Sequence, residues 1–157
     1  MSAVPVKILE WTPEYAVQVA EIDREHQVWF EVVNRLHAAM LAGKGVEILG
    51  VLLAETTRYT SDHFAHEEQL MAAVDYPELR AHVQQHDGLR RQAREFRKRF
   101  ERGEVTMTIE LTLFLSAWIK QHTMTTDRQL GRYLSTCRRG AARNGSVRRL
   151  NPQVSSR

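Results

Sequence analysis

Four long segments with helical periodicity constrain the fold of this 157-residue chain more than any other feature of its sequence. In each segment, apolar residues or histidines recur every three or four positions, which is the spacing of one face of an α-helix. The segments cover residues 17–41, 46–73, 77–101 and 107–136. Because the rise is about 1.5 Å per residue, each segment predicts a helix of roughly 40 Å.

The connections between these segments are short and contain residues that break helices, such as Gly43, Pro77 and Gly103. Short connections force consecutive helices to run antiparallel. The sequence therefore predicts an all-α fold, an up-down-up-down antiparallel four-helix bundle. The first 16 residues form an N-terminal arm, and we expect Trp11 to pack it against the bundle.

Composition places the chain among soluble, single-domain proteins, with 43% hydrophobic and 26% charged residues. No apolar run approaches the roughly 20 residues that a membrane span needs. The N-terminal sequence lacks the basic and apolar regions of a secretion signal. We therefore expect a cytoplasmic protein, and the single cysteine, Cys137, excludes an internal disulfide.

Charge divides the chain into two parts. Residues 138–157 contain six arginines and no acidic residue, whereas the rest of the chain has a net charge of −3. We expect a bundle over residues 1–136 and a flexible, Arg-rich, disordered tail over residues 137–157. Because the basic charge is confined to the tail, nucleic-acid binding is not expected, although a tail that engages an anionic membrane or nucleic acid is an open alternative.

Five of the seven histidines fall on the inward faces of the predicted helices, together with one glutamate. Two pairs, His63 with Glu67 and His82 with His86, are four residues apart and so share a helical face. Buried imidazoles and a buried carboxylate need partners or a metal. A single zinc ion takes about four ligands, so a larger set favours two metals that share bridging carboxylates. These residues are His26, His63, Glu67, His82, His86 and His122.

On these residues the chain resembles the bacteriohemerythrins, the single-domain bacterial members of the hemerythrin family. The matching stretches are IDREH at 22–26, HFAHEE at 63–68, HVQQH at 82–86 and WIKQH at 118–122, followed by Asp127. The resemblance covers about residues 10 to 135. It implies a di-iron centre that binds dioxygen.

The resemblance also assigns roles to individual residues. It implies that His82, His86 and His122 hold one iron and that His26 and His63 hold the other. Glu67 and Asp127 would bridge the two irons (Fe²⁺/Fe³⁺) together with an oxo or hydroxo group. Asp127 rests on the resemblance alone, because a regular helix places it roughly 140° around the axis from His122.

The second iron would have a vacant position for O₂, in a pocket that the resemblance lines with Trp29, Phe64, Trp118 and Thr123. Two of these depart from the family's usual residues, since Thr123 replaces an apolar residue and Trp29 replaces a leucine. We expect both to affect oxygen affinity. His66 is expected to be a surface histidine, with a role in supporting the ligands as the alternative. Asp23 and Tyr59 either orient imidazoles or serve packing and capping.

We therefore expect reversible oxygen binding, for storage, delivery or sensing, by a monomer that is not an enzyme. Dioxygen is the expected partner, together with an oxygen-consuming client protein. The alternative is a di-iron enzyme that reduces or activates oxygen, peroxide or nitric oxide. The chain has no Glu-x-x-His motif, which is typical of oxygen-activating centres, and no His-Glu-x-x-His motif of zinc proteases.

Overall fold

The computed structural model describes residues 7–104 and 107–148, which contain helices and no strand. The all-α four-helix bundle is confirmed. A short 3₁₀ turn (Pro13–Tyr15) precedes the bundle, and a π-helical turn (Thr123–Asp127) joins the two halves of its last helix. The α-helices are α1 (Ala20–Leu41), α2 (Val46–Ala73), α3 (Leu79–Glu101), α4 (Met107–His122) and α5 (Arg128–Arg148).

Two hydrophobic clusters form the core, one toward each end of the bundle. The larger cluster includes Trp29, Phe64 and Ile119, and the smaller one includes Met71 and Leu130. Along each helix the inward histidines lie between members of the two clusters, so a polar layer crosses the bundle between two apolar ones.

Glycines end the first and third helices. Gly43 and Gly103 have φ angles of +62° and +88°, a left-handed conformation that residues with a Cβ adopt at a cost. The following residues, Lys44 and Glu104, donate their backbone N–H groups to carbonyls of the last helical turn, at 3.0 and 3.1 Å. These bonds satisfy carbonyl groups that the helix end would otherwise leave without donors.

The N-terminal arm packs against α1 as expected. The Asn34 side chain accepts hydrogen bonds from the backbone N–H groups of Ile8 and Leu9 and donates one to the Leu9 carbonyl. Trp11 contacts Phe30 at a centroid distance of 5.4 Å. The arm then crosses α5 so closely that a Cβ at Gly131 would lie 2.0 Å from the Val17 carbonyl oxygen, so only glycine fits there.

The last helix extends further than the sequence pattern predicts. The predicted end was residue 136, but α5 continues to Arg148, so the first part of the expected flexible tail is helical. Extending an existing helix requires no new nucleation, and Ala141 and Ala142 are good helix formers. The remainder of that tail, residues 149–157, lies outside the described residues.

Candidate metal centre

All seven predicted ligand side chains meet in the polar layer, and each residue is at least 98% buried. They form two groups of atoms that could each hold a metal ion. The first group contains Glu67, Asp127 and three histidines, and the second contains the same two carboxylates and two histidines. The three histidines are His82, His86 and His122, and the two are His26 and His63.

The three-histidine group is arranged around a common point. The Nε2 atom of His122 lies 3.2 Å from the Nε2 atoms of both His82 and His86. Nitrogens about 2.1 Å from one metal ion, at right angles to each other, would be about 3 Å apart. The spacing therefore fits nitrogens that share one ion.

Each carboxylate directs one oxygen to each histidine group. Glu67 Oε2 lies 3.3 Å from His86 Nε2, while Oε1 lies 3.7 Å from His63 Nε2. Asp127 Oδ1 lies 2.9 Å from His122 Nε2, while Oδ2 lies 3.2 Å from His26 Nε2. Both side chains therefore have the geometry of bridging carboxylates.

The π-helical turn explains how Asp127 reaches the centre. Residues 123–127 follow His122 directly and widen the helix. Hydrogen bonds from residue i to residue i+5 replace the usual i to i+4 bonds in such a turn, so residues five apart return to nearly the same face. His122 and Asp127, which a regular helix would separate, thus face the same point.

Several polar atoms of this layer are buried without a hydrogen-bond partner. They include both ring nitrogens of His26, Nε2 of His63 and all four carboxylate oxygens of Glu67 and Asp127. The short contacts between these groups lack hydrogen-bond alignment. Because an unpaired buried polar group is costly, such a concentration indicates that the side chains serve a metal rather than one another.

The electrostatics of the layer favour cations. Burial raises the pKa of Glu67, as does Asp127, but the surrounding imidazoles hold it below its ordinary value. The pKa of Asp127 is likewise lowered against burial, mainly by His122. Burial disfavours the protonated form of His82, yet Asp127 and Glu67 raise its pKa to about 9. Both carboxylates are therefore ionised at neutral pH.

Comparison with known proteins settles the family. The family model described as the hemerythrin HHE cation binding domain matches residues 17–134. The chain belongs to the hemerythrin family. The bacteriohemerythrin of Stenotrophomonas maltophilia (strain R551-3) is 33% identical over 115 residues, which cover 73% of this chain and 74% of that protein.

Two further relatives support the same family. The bacteriohemerythrin of Methylococcus capsulatus (strain Bath) is 31% identical over 129 residues, 82% of this chain and 98% of that protein. A crystal structure of wild-type hemerythrin matches with a TM-score of 0.72 and 30% identity, covering 78% of this chain and 95% of that one. No helix in the described part of this chain could span a membrane.

Side chains from neighbouring helices orient three of the five imidazoles. The Nδ1 atoms of His63, His86 and His122 lie 2.8–2.9 Å from acceptor oxygens. Such partners fix the ring orientation and tautomer of metal-binding histidines. The acceptors, in the same order, are Glu25, Glu68 and Gln85.

The sequence pattern did not identify these acceptors. Asp23 instead accepts a hydrogen bond from the Val17 backbone, and the Tyr59 hydroxyl donates to the Glu25 carbonyl. Among the described residues, neither makes a hydrogen bond to an imidazole, which agrees with the packing and capping alternative. His66 is only about one third exposed, and it shares the Glu25 carboxylate with His63, as the alternative of a supporting role beside the ligands would require.

The aromatic residues predicted to line the oxygen pocket divide between the two histidine groups. Phe64 stacks on His86 at 3.7 Å between centroids, and Trp118 stacks on His122 at 4.3 Å. Trp29 instead lies beside the two-histidine group, 5.1 Å from the His63 ring and 6.4 Å from His26.

Trp11 and Thr123 complete the surroundings of the centre. The ring centroids of Trp11 and His26 are 6.5 Å apart, because the N-terminal arm folds over α1. The sequence did not predict Trp11 as part of the pocket. The Thr123 hydroxyl is buried without a partner. This buried hydroxyl belongs to the residue that directly follows His122 in the chain.

Proposed function

We propose that this member of the hemerythrin family binds oxygen reversibly at a centre of two iron ions. The unequal division of histidines carries the proposal. Three histidines would hold one iron and two would hold the other, while Glu67 and Asp127 serve both. The second iron thus has one protein ligand fewer, and an open position with histidine and carboxylate ligands favours iron.

Two iron ions in the ferrous state would supply the two electrons that reversible oxygen binding uses, one from each ion. The chain's own residues would hold the iron, in a layer where each candidate ligand is at least 98% buried. Glu25, Glu68 and Gln85 fix the imidazoles, and the bridging carboxylates hold the two ions together. We propose that Trp29, Phe64, Trp118 and Thr123 line the oxygen pocket, since all four lie on or next to ligand residues.

We place the working protein in the cytoplasm, with dioxygen as its ligand and an oxygen-consuming client protein as its partner. A single cysteine in 157 residues suits a reducing compartment. Storage, delivery and sensing all fit the same centre. We also propose that the hemerythrin bundle acts as a monomer, with its functional part within residues 1–136.

The second candidate function is an enzyme that reduces or activates oxygen, peroxide or nitric oxide. Thr123 favours it, because a buried hydroxyl without a partner could hydrogen-bond a reacting ligand or water. The centre is nevertheless rich in histidine and poor in carboxylates, which suits a carrier better than oxygen-activating centres with Glu-x-x-His motifs.

The visible spectrum of the iron-loaded protein through cycles of oxygen addition and removal tests the proposal. We expect an absorption band that appears with oxygen and disappears under argon over repeated cycles. Rapid decay to a permanently ferric spectrum with release of peroxide would support the enzyme instead.

Histidine variants test the ligand assignment. His82→Ala should remove the absorption band and reduce the iron content below two ions per chain. His37→Ala is the matched control, because His37 lies outside the centre and its Nδ1 atom forms a hydrogen bond with the Thr112 hydroxyl. A band that survives in His82→Ala would show that the assigned ligands are wrong.

A further inference from the structure

A cavity of about 180 Å³ lies between α2, α3 and α4, outside the metal centre. Its inner wall is formed by leucines that are 94–99% buried. Protein interiors rarely contain voids larger than a water molecule, and an apolar cavity of about 150 Å³ is known to bind benzene. These leucines are Leu53, Leu89, Leu111 and Leu115.

Threonines on the α2 side of the cavity do not make it polar. The hydroxyls of Thr56, Thr57 and Thr60 each donate a hydrogen bond to a backbone carbonyl of their own helix, at 2.8–2.9 Å. Their protons are therefore not available to an occupant. The short side chains of these threonines and of Ala93 leave the space that larger core residues would fill.

Arginines of α3 form the opposite edge, with Arg90, Arg94 and Arg97 all lining the cavity. Arg90 pairs with Glu68 and Asp87, and Arg97 pairs with Glu101. Within the part of the chain that the structure describes, Arg94 has no carboxylate within 4.0 Å. No carboxylate lines this cavity either.

An apolar interior with an unpaired guanidinium at its edge matches one class of small molecule. We propose that this cavity binds a small amphipathic carboxylate, such as a short fatty acid, with the hydrocarbon chain among the leucines and the carboxylate on Arg94. Guanidinium groups bind carboxylates through two parallel hydrogen bonds, which gives the charged end a fixed position.

The position of the cavity connects it to the metal centre. Thr60 lines the cavity and accepts a hydrogen bond from the indole N–H of Trp29 at 2.9 Å. The Trp29 ring lies 5.1 Å from the His63 ring. An occupant is therefore separated from the two-histidine group by a hydrogen-bonded pair of side chains, although its binding does not require oxygen chemistry.

Calorimetric titration of the iron-loaded full chain with octanoate, and separately with 1-octanol, tests the proposal. We expect octanoate to bind with one-to-one stoichiometry. Arg94→Gln should weaken octanoate binding at least fivefold and leave octanol binding within twofold. Arg91→Gln is the matched control, because Arg91 and Arg94 are both exposed residues of α3 but only Arg94 lines the cavity.

Filling the cavity provides an independent test. Ala93→Phe, or Thr57→Leu if the first variant loses its helical circular dichroism, should abolish binding of both molecules. A crystal structure with 8-bromooctanoate should place the bromine beside Leu111 and Leu115. The proposal is overturned if octanoate shows no saturable binding, if the two arginine variants bind it equally, or if the bromine lies outside the cavity.

Discussion

Glu25 holds two histidine rings with one carboxylate, and only one of those rings belongs to the candidate metal centre. Its oxygens lie 2.8 Å from Nδ1 of His63 and 2.5 Å from Nδ1 of His66. Loss of a partner that orients a metal-bound imidazole costs 10–100-fold in metal affinity. We therefore expect Glu25→Ala to weaken binding of one of the two proposed irons by about tenfold or more, measured by chelator competition.

The control for this variant is Glu31→Ala on the same helix. Glu31 is exposed and pairs with Lys7 at the surface, so its loss should leave both iron affinities unchanged. Equal iron affinities in the two variants would show that Glu25 does not position His63.

Thr123 contributes a buried hydroxyl with no hydrogen-bond partner. Valine has nearly the same shape and lacks that hydroxyl, and an unsatisfied buried polar group costs about 1–3 kcal/mol. Thr123→Val should therefore raise the free energy of unfolding of the metal-free protein by about 1 kcal/mol in urea titrations. Thr136→Val, at a hydroxyl that donates to the Arg132 carbonyl, should give no such gain.

Oxygen release distinguishes a functional from an inert Thr123 hydroxyl. If the hydroxyl donates to the bound ligand, oxygen should dissociate faster from Thr123→Val than from the unmodified protein in stopped-flow measurements. Unchanged stability together with an unchanged dissociation rate would contradict both expectations for this residue.

At the scale of helices, the sequence predicted six of the seven candidate ligands from periodicity, because His26, His63 and the others lie on regular helical faces. Asp127 was different, since its position depends on a π-helical turn that a regular period does not describe. Glu25, Glu68 and Gln85 were missed for another reason. Each reaches an imidazole on a neighbouring helix, and a pattern within one helix cannot reveal such a contact.

The π-helical turn contains one residue more than a turn of α-helix, which leads to a prediction about deletions. Removing Thr125, which is exposed, should convert the turn to α-helix and place Asp127 four residues after His122, still on its face. We expect that variant to retain its iron. Removing Gln129 should instead rotate Leu130 and Leu134 by about 100° away from the core.

The two deletions can be compared by iron content and thermal unfolding. Loss of the buried leucine contacts should cost several kcal/mol in the Gln129 deletion, at about 2–5 kcal/mol per leucine. A Thr125 deletion that is equally unstable, or that loses its iron, would show that the π-helical turn itself is required.

At the scale of the whole molecule, every helix of the four-helix bundle supplies at least one candidate ligand. They come from α1, α2, α3, the end of α4 and the π-helical turn. The sequence predicted this meeting because it predicted the bundle. It did not predict the 180 Å³ cavity, since an unfilled volume depends on how side chains from three helices interlock. Metal binding in such a centre is coupled to the stability of the whole fold.

This coupling depends on pH through His82. Its pKa in the metal-free fold is about 9, raised from an ordinary 6.5 by Asp127 and Glu67 against the effect of burial. The protonated ring therefore stabilises the metal-free fold fully below about pH 6.5, and that contribution is lost as the pH rises through about 9. Metal ions bind the deprotonated ring, so they displace a proton over this range.

As the pH rises from 6 to 9, the metal-free fold loses the stabilisation from protonated His82, and the metal competes with fewer protons. Both changes increase the difference in Tm between the iron-loaded and metal-free protein over this range. The lowered pKa values of Glu67 and Asp127 do not oppose this trend, because both carboxylates are already ionised throughout that range. Anaerobic calorimetry of both forms measures the difference, and His37→Ala should show the same slope. A Tm difference that is constant from pH 6 to 9 would mean that no imidazole proton is exchanged for metal, and that the electrostatic account of this centre is wrong.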